Sequence, residues 1–552
     1  MTGGASKTAL QGIYDAAIRS REVRAWKRRQ RPSMGLYDGD WNFRGQVVGE
    51  YSADFDWKLN DTGSGQIVLP YDHHLALWAF SFWKRDTANI HVRVDKDGER
   101  WTGRLSEVVT EQDSDGTRSV TLNFLHDYEE LKHIDVWANP LTPAFVQFPK
   151  TFLLAGPSAY VLKLTLFLNL VRLNMSLWQL PDDPLSFDGW TQGLNYKEWP
   201  VVVKPGSLLL DDSQWTILNS RFKSFHDLAK PVLADGHLMV EMRRWFKGDP
   251  QPWPGAGLYR DGQLVIDIVD KSGWFDETAV GGTIAGGLLR TGLNVAENLV
   301  DETRMHLNRI DDAPEYEVAG WLGISPKQPW VTYRTNGDAN TAESSSFTWQ
   351  PATVAQITTG GKSSPGVNEA MSVSTQLAFN LIGSFMLQPG LGSVADSVLQ
   401  PLYEDTIAAF MSLKSPLRTM RLGWSHYYEN FESGGDKAYT LSSVIAMRKG
   451  FWDSRERTLH QMKIGDGAPY LVGANGEGHF SLGDRVGGEV PGARDGRVVV
   501  EQVTGLSLSW GADSPHEWTI STGDMSADHD PIEYLISKVA DLSEAAQDLG
   551  VM

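Results

Sequence analysis

Residues 54–80 read DFDWKLNDTGSGQIVLPYDHHLALWAF, preceded by Ala53. Phe55, Trp57 and Leu59 alternate with Asp56 and Lys58, the period of a half-buried strand. Residues 60–65 are a reversal: Asn60 and Asp61 tolerate positive φ, and Gly63 and Gly65 permit it without steric cost. Ile67, Val68 and Leu69 return as a second strand stopped by Pro70. Asp72 then stands where it can cap a short helix carrying Leu75, Leu77 and Trp78. The stretch is strand, turn, strand, helix, and nothing in it is catalytic by itself.

Outward from this hairpin, residues 35–135 keep the same character. Strands are expected at 45–51, 91–94, 100–105 and 119–124, with a hairpin turn at Asp95-Lys96-Asp97-Gly98. Together they make a small antiparallel barrel or sandwich. Ahead of them, 1–34 is a basic arm. Its helical spacing ends in Arg19, Arg21, Arg24, Lys27, Arg28, Arg29 and Arg31. Such an arm docks on an acidic neighbouring subunit or lies near DNA, or is a solvated helix end whose cations suit the C-terminal dipole.

Residues 160–180 are the most apolar run, close to transmembrane length. Lys163, Asn169, Arg172 and Asn174 interrupt it, which favours a core or interface helix over a membrane span. Residues 181–275 read as α+β, with a helix starting at Ser224 and strands at 237–246 and 263–269. Residues 276–310 are Gly-rich and then helical, 315–358 carry strand signals, and 371–412 form helices of small residues. After Asp530-Pro531 a last helix carries the stripe Ile532, Leu535, Ile536, Val539, Leu542 and Leu549.

Residues 479–524 repeat the pattern of 90–127. Asp97-Gly98 aligns with Asp495-Gly496, and Asp115-Gly116 with Asp513-Ser514. Each copy closes on an alternating strand, 119–124 and 517–521. Two similar units per chain in a three-fold ring would present six similar faces to a six-fold tube.

The chain has 552 residues, enough for several domains, and a net charge of −19, which argues against generic nucleic-acid binding. An acidic body is compatible with DNA passing without sticking. It has no cysteine, so disulfides, Cys-zinc sites and thiol nucleophiles are excluded. The start MTGGASKTAL shows no secretory leader, so synthesis in a cytoplasm is expected.

Chemistry is hard to find. His73 and His74 are adjacent, which is expected to point them to different sides. Gly361-Lys362-Ser363 evokes a phosphate loop, but Gln356 and Ile357 stand where the upstream Gly should be, and Pro365 stops the helix. The acidic run at 95–99 lacks the Gly and Glu of a calcium loop, with Arg100 and Ser106 in their places. No Gly-x-Ser-x-Gly elbow is present. Trp190, Trp199 and Trp253 either stack on cell-wall sugars or sit in cores and interfaces. No catalytic, cofactor-binding or metal residue is assigned, and no cofactor is expected.

Several stretches resemble the baseplate hub, or tail-associated minor tail protein, of long-tailed actinobacteriophages. They are 54–80, SFHDLAKPVLADGHLMVEMRRWF and LVIDIVDKSGW within 221–275, residues 359–369, and YYENFESGGDKAYTLSSVIAMRKGFWDSR within 400–524. The resemblance implies an α+β, multi-domain chain: two small antiparallel β-barrel-like hub domains with α+β and helical insertions. The expected divisions are a basic N-terminal arm (1–34), a first hub barrel (35–150), an α+β domain (151–310), a β-rich segment (311–370), a Gly/Ala-rich helical region (371–455), a second hub barrel (456–526) and a C-terminal helix (527–552). It also implies a structural, non-enzymatic virion protein at the tail tip. Such a protein forms a homotrimer and joins the distal tail ring to fibre or receptor-binding proteins. It closes the channel around the tape measure protein until DNA ejection, with DNA passing transiently and the host cell envelope as a possible contact. The alternative is a tail enzyme or module that binds or hydrolyses cell-wall glycan.

Overall fold

The computed structural model describes residues 4–273, 282–287, 308–309, 329–335, 342–360, 410–432 and 456–523, short gaps apart, with single positions between 447 and 454. The expectations for 361–363, for most of 371–412, for Trp190 and for 527–552 lie outside the described residues. The described part of 371–412 is strand, not helix: 410–412 open the strand Phe410–Lys414.

Seven strands form the first half: β1 (Ser33–Asp38), β2 (Phe43–Gln46), β3 (Ser52–Lys58), β4 (Ser64–Pro70), β5 (Ile90–Lys96), β6 (Glu99–Gln112) and β7 (Arg118–His126). Their order is β3-β4-β7-β6-β5-β1-β2, antiparallel throughout. Of the strand expected at 45–51 only 45–46 form, as the end of β2, and 47–51 are the connection to β3 at Ser52.

The opening hairpin folds as its alternation requires: Ala53, Phe55 and Trp57 face the core. Its turn chemistry differs. Asn60 alone takes positive φ, at 54°, while Gly63 and Gly65 serve close approach. A Cβ on Gly63 would stand 1.8 Å from the Asp56 carbonyl oxygen, and one on Gly65 would enter the Phe55 and Trp101 rings. The helix His74–Phe80 is capped by His73, not Asp72: the His73 ring accepts from the Leu75 N–H.

Two closed barrels are not what the strands build. Beyond β3 the same sheet continues through Arg497–Gly511, Glu517–Thr522, Arg457–Gly465 and Ser344–Gln350. The cause is the length of Arg497–Gly511. One edge pairs with Arg485–Glu489 along 498–502 and then with β3 along 505–511. The outer edge of β3 is filled by the far end of the chain instead of closing on its own half. Phe55, Ile67, Val92, Trp101 and Leu122 accordingly share one core with Ile464, Val486, Leu508, Trp518 and Ile520.

The two halves repeat each other strand for strand. β3-β4-β7-β6-β5 has the same order as 344–350, 457–465, 517–522, 497–511 and 485–489. The alignment that sets Asp97 against Asp495 also sets Ser106 against Thr504. Each of these is the residue left unpaired at a β-bulge, between Leu105 and Glu107 and between Val503 and Gly505. Each hydroxyl donates to a carbonyl across the ladder, Ser106 to Asn123 at 3.1 Å and Thr504 to Gly523 at 2.8 Å. The buried pairs Ile67 and Ile464, Leu122 and Ile520, and Val92 and Val486 occupy equivalent places.

Between the halves sits an α+β unit with its own core. The apolar run becomes the helix Ser158–Asn174, which buries Val161, Leu162, Leu166 and Leu170 together with Thr165, Asn169 and Arg172. Among the described residues no helix is long and apolar enough to cross a membrane. Ser224 caps the helix Phe225–Gly236. Leu238–Trp245 pairs antiparallel with Gln263–Asp270, which pairs parallel with Val201–Val203. A separate three-stranded sheet places Val354–Gly360 between Phe410–Lys414 and Tyr427–Glu432.

Candidate functional site

Three parts of the chain meet at the β5–β6 turn: the N-terminal helix, the α+β unit and the second half. Asp97 and Gly98 both take positive φ, the two-residue hairpin turn that an Asp-Gly pair favours. The tip is gripped from two sides. Asn475 Nδ2 and Arg243 Nη1 both donate to the Gly98 carbonyl, at 3.2 and 3.1 Å. A Cβ at Gly98 would lie 2.3 Å from the Ala474 oxygen.

The basic arm ends in this junction. The helix Gly4–Arg28 carries its cations into the loop after Arg457–Gly465. Lys27 pairs with Glu477 at 2.6 Å and Arg28 with Asp466 at 3.0 Å. Arg28 also donates to the Tyr470 carbonyl at 2.7 Å. Lys96 Nζ donates to the Lys27 carbonyl at 3.0 Å, and the His516 ring meets the Arg28 carbonyl. These side chains satisfy carbonyls that the helix end leaves open, where its dipole favours cations. The arm therefore docks on its own chain's second half. Just beyond it, Arg31 and Trp510 both reach Glu50. Burial alone would raise the Glu50 carboxyl, but the Trp510 hydrogen bond, its own N–H and Arg31 outweigh burial and hold it low.

The α+β unit is attached through buried charge. Arg244 grips Asp127 with two bonds, Nη2 at 2.6 Å and Nε at 2.8 Å, and donates to the Gly262 carbonyl at 2.7 Å. Thr102 donates to the same carboxylate, and the Arg244 guanidinium lies 4.5 Å from the Trp41 ring. Arg244 and Asp127 are both almost fully buried. Burial raises Asp127, but Arg244 dominates and leaves it below the usual carboxylate range. Arg100 pairs with Asp95 at 2.7 Å and with Asp249 across the junction. Burial and then Arg244 push His91 down to about 3, and burial pushes His126 down to about 4. Both stay neutral beside these cations. Glu99 is the exception: burial raises it to about 7, only partly opposed by the Ser481 hydrogen bond and Arg243.

These groups build joints between parts of the chain. Among the described residues no cluster of three or more His, Cys, Asp or Glu is arranged to hold a metal. His73 and His74 do not point apart as expected. Their rings lie 4.7 Å from each other, because His73 stands outside the helix with extended backbone. The His73 nitrogens are engaged by the Leu75 N–H and the Val48 carbonyl. Ser345 lies 2.8 Å from His460 Nε2, a contact with the look of a nucleophile and base. His460 is fully buried and no carboxylate orients its other nitrogen, so the pair lacks the third member and the open face that acyl transfer needs. Trp199 is buried and donates to the Gly193 carbonyl at 2.9 Å, and Trp253 packs against the α+β core.

Sequence reasoning located the turn at 97–98 and the basic arm. It missed the Arg244–Asp127 joint, because a long-range ion pair leaves no periodic trace. The acidic Asp127 beside His126 and the paired Arg243-Arg244 within an apolar strand were the available signals.

The model of the Siphovirus ReqiPepy6 Gp37-like protein family matches residues 33–524. The minor tail protein Gp28 of Mycobacterium phage L5 is 34% identical over 89% of this chain and 90% of its own length. Its counterpart in Mycobacterium phage D29 is 35% identical over the same shares. A tail protein from Neisseria meningitidis MC58 is a distant structural likeness, 12% identical with a TM-score of 0.39 over 90% of this chain and 97% of that one. The chain belongs to the Siphovirus ReqiPepy6 Gp37-like protein family and is a minor tail protein, a structural component of the virion tail.

Proposed function

We propose that the chain forms the tail-tip hub as a head-to-tail homotrimer, in which each junction between copies imitates the junction inside one copy. The supporting observation is the duplicated sheet, in which one edge of β6 and one edge of Ser344–Gln350 both lie open among the described residues. Inside the chain, residues 505–511 of the second long strand pair with β3, the first strand of the first half. The equivalent stretch of β6, 107–112, pairs on one side with β7 and has no ladder partner on the other among the described residues. Ser344–Gln350 is the equivalent of β3 and likewise has one free edge. In a ring, β6 of one copy takes up Ser344–Gln350 of the next. The register inside the chain sets Ser507 opposite Asp56, and equivalence then sets Val109 opposite Ser346 of the next copy. Three such chains present six similar units, which suits seating on a six-fold tube.

The hub so formed joins the distal tail ring to fibre or receptor-binding proteins, closes the channel around the tape measure protein, and opens for DNA ejection. The acidic composition suits DNA that passes without binding. In this reading the chain works without catalysis and comprises an arm, two hub units and insertions, the second unit taking in the strand Ser344–Gln350 ahead of the expected 456–526. Light scattering on the purified chain tests the ring. Three times the 61.3 kDa chain mass supports it, and a concentration-independent dimer would overturn it.

A further inference from the structure

The loop after β4, 71–89, and the loop after its equivalent Arg457–Gly465, 466–484, are equal in length and differ in what covers them. The second is covered inside the chain. The 97–98 turn of the first half rests on it: Asn475 donates to the Gly98 carbonyl, and a Cβ on Gly473 would stand 2.4 Å from the Asp97 oxygen. The arm lies on it too, through Arg28 to Asp466 and to the Tyr470 carbonyl. No large apolar side chain of 466–484 is exposed, and Leu471, Val472, Phe480 and Leu482 are buried.

The first loop is left open. It forms the helix His74–Phe80 and then a single turn, Phe82–Lys84. Phe82 is 66% exposed, Trp83 60% and Leu77 42%. The Trp83 ring lies 5.6 Å from that of Phe80 and 5.1 Å from that of Phe82. The hydrogen bonds that leave the loop go to Gly39, Val48 and Arg118, all in the first half. Apolar side chains scattered singly on a surface are ordinary, but a contiguous set with Trp and Phe has the composition of an interface core.

The joint inside the chain says what belongs on that surface. There, the half that lends β3 lays its hairpin turn on the loop of the half that lends the long strand Arg497–Gly511. Between copies the roles exchange: β6 is the long strand, and the next copy lends Ser344–Gln350. The hairpin that then reaches 71–89 is the one joining Arg485–Glu489 to Arg497–Gly511 of the next copy. Its connection is seven residues, 490–496, where β5 and β6 are joined by two, 97–98. The short turn packs backbone to backbone against Gly473, and a loop that presents a helix and rings instead calls for a longer reach. We propose that Leu77, Phe82 and Trp83 form the seat for the 490–496 hairpin of the next copy in the ring. This deepens the head-to-tail reading and rests on it.

Thiol labelling and light scattering on the same samples of the full-length chain test it. The natural chain has no cysteine, so Leu77→Cys puts a single thiol at the seat and keeps both exposed rings. Its reaction with a maleimide is slow in the trimer and fast in the chain diluted to monomer. The double variant Phe82→Ser and Trp83→Ser raises the concentration needed for half assembly by on the order of tenfold or more. It keeps the wild-type far-ultraviolet circular dichroism, since both side chains are exposed. Replacing 490–496 by Asn-Gly weakens assembly in the same way. A thiol equally reactive in trimer and monomer, or a double variant that assembles as the wild type does, overturns the seat and leaves the ring standing. A chain that stays monomeric, with the thiol reactive at every concentration, overturns both. Protection found only in assembled tails overturns the contact between copies and gives the seat to another tail protein.

Discussion

The two halves of the sheet share strand order, bulge position and buried isoleucines, yet they are used differently. In the first half, β3 and β4 are joined by a short turn, and the insertion comes after β7. In the second, more than a hundred residues separate the equivalent strands 344–350 and 457–465. The ladder is kept and the additions hang from its ends. What repeats is the surface that pairs, and what differs is the surface each half presents elsewhere. The joint inside the chain is therefore the best available template for the joint between chains.

The comparison breaks most severely where one half carries a load the other lacks. Arg244 anchors the α+β unit to the first half through Asp127. Arg244→Ala leaves a buried carboxylate without its partner and is expected to lower unfolding stability by about 3–5 kcal/mol in denaturant titration. Charge-conserving Arg244→Lys should recover only part of this, because one ammonium cannot reproduce the two-bond grip.

Glu99 opens β6, and the second half has Arg497 in its place. Burial raises the Glu99 carboxyl to about 7 from its ordinary 4.5, with Arg243, Lys271 and Asp484 around it. A raised acid favours its protonated form in the fold. Its contribution is complete below pH 4.5 and is lost as pH climbs through 7, a change of roughly 3 kcal/mol. Glu99→Gln should flatten that part of the stability–pH curve. An unchanged slope between pH 5 and 8 would remove Glu99 from the account.

Equivalence itself is tested by matched pairs. Ile67→Val and Ile464→Val should cost about 0.5–1.5 kcal/mol each and differ little. At the bulges, Ser106→Ala and Thr504→Ala should each cost about 1 kcal/mol or less, measured as urea midpoints. A large asymmetry within either pair would mean that the two halves are alike in outline only.

The hairpin at 54–69 was legible because its alternation and its turn are local. The register of the repeat was legible too, since Asp97-Gly98 and Asp495-Gly496 fix the alignment that places Ser106 against Thr504. The route of the strand Arg497–Gly511 onto β3 was not. An alternating strand declares which face is buried but not which distant edge it joins, so separate barrels were expected and one sheet was found. The arm was read as basic, but its carboxylate partners lie more than 430 residues away at Asp466 and Glu477.

The most direct test of the central claim uses the absence of cysteine from the natural chain. Val109→Cys and Ser346→Cys would place the only two thiols on strands that the account pairs between copies. In the chain's own ladder the equivalent residues, Ser507 and Asp56, are directly opposed. They do not exchange ladder hydrogen bonds, which is the close geometry a disulfide accepts. Under mild oxidation the double variant should run as a covalent trimer on non-reducing gels, while Val109→Cys with Phe347→Cys, one residue out of register, should not. A double variant that remains monomeric, or a control that cross-links equally well, would contradict the head-to-tail ring.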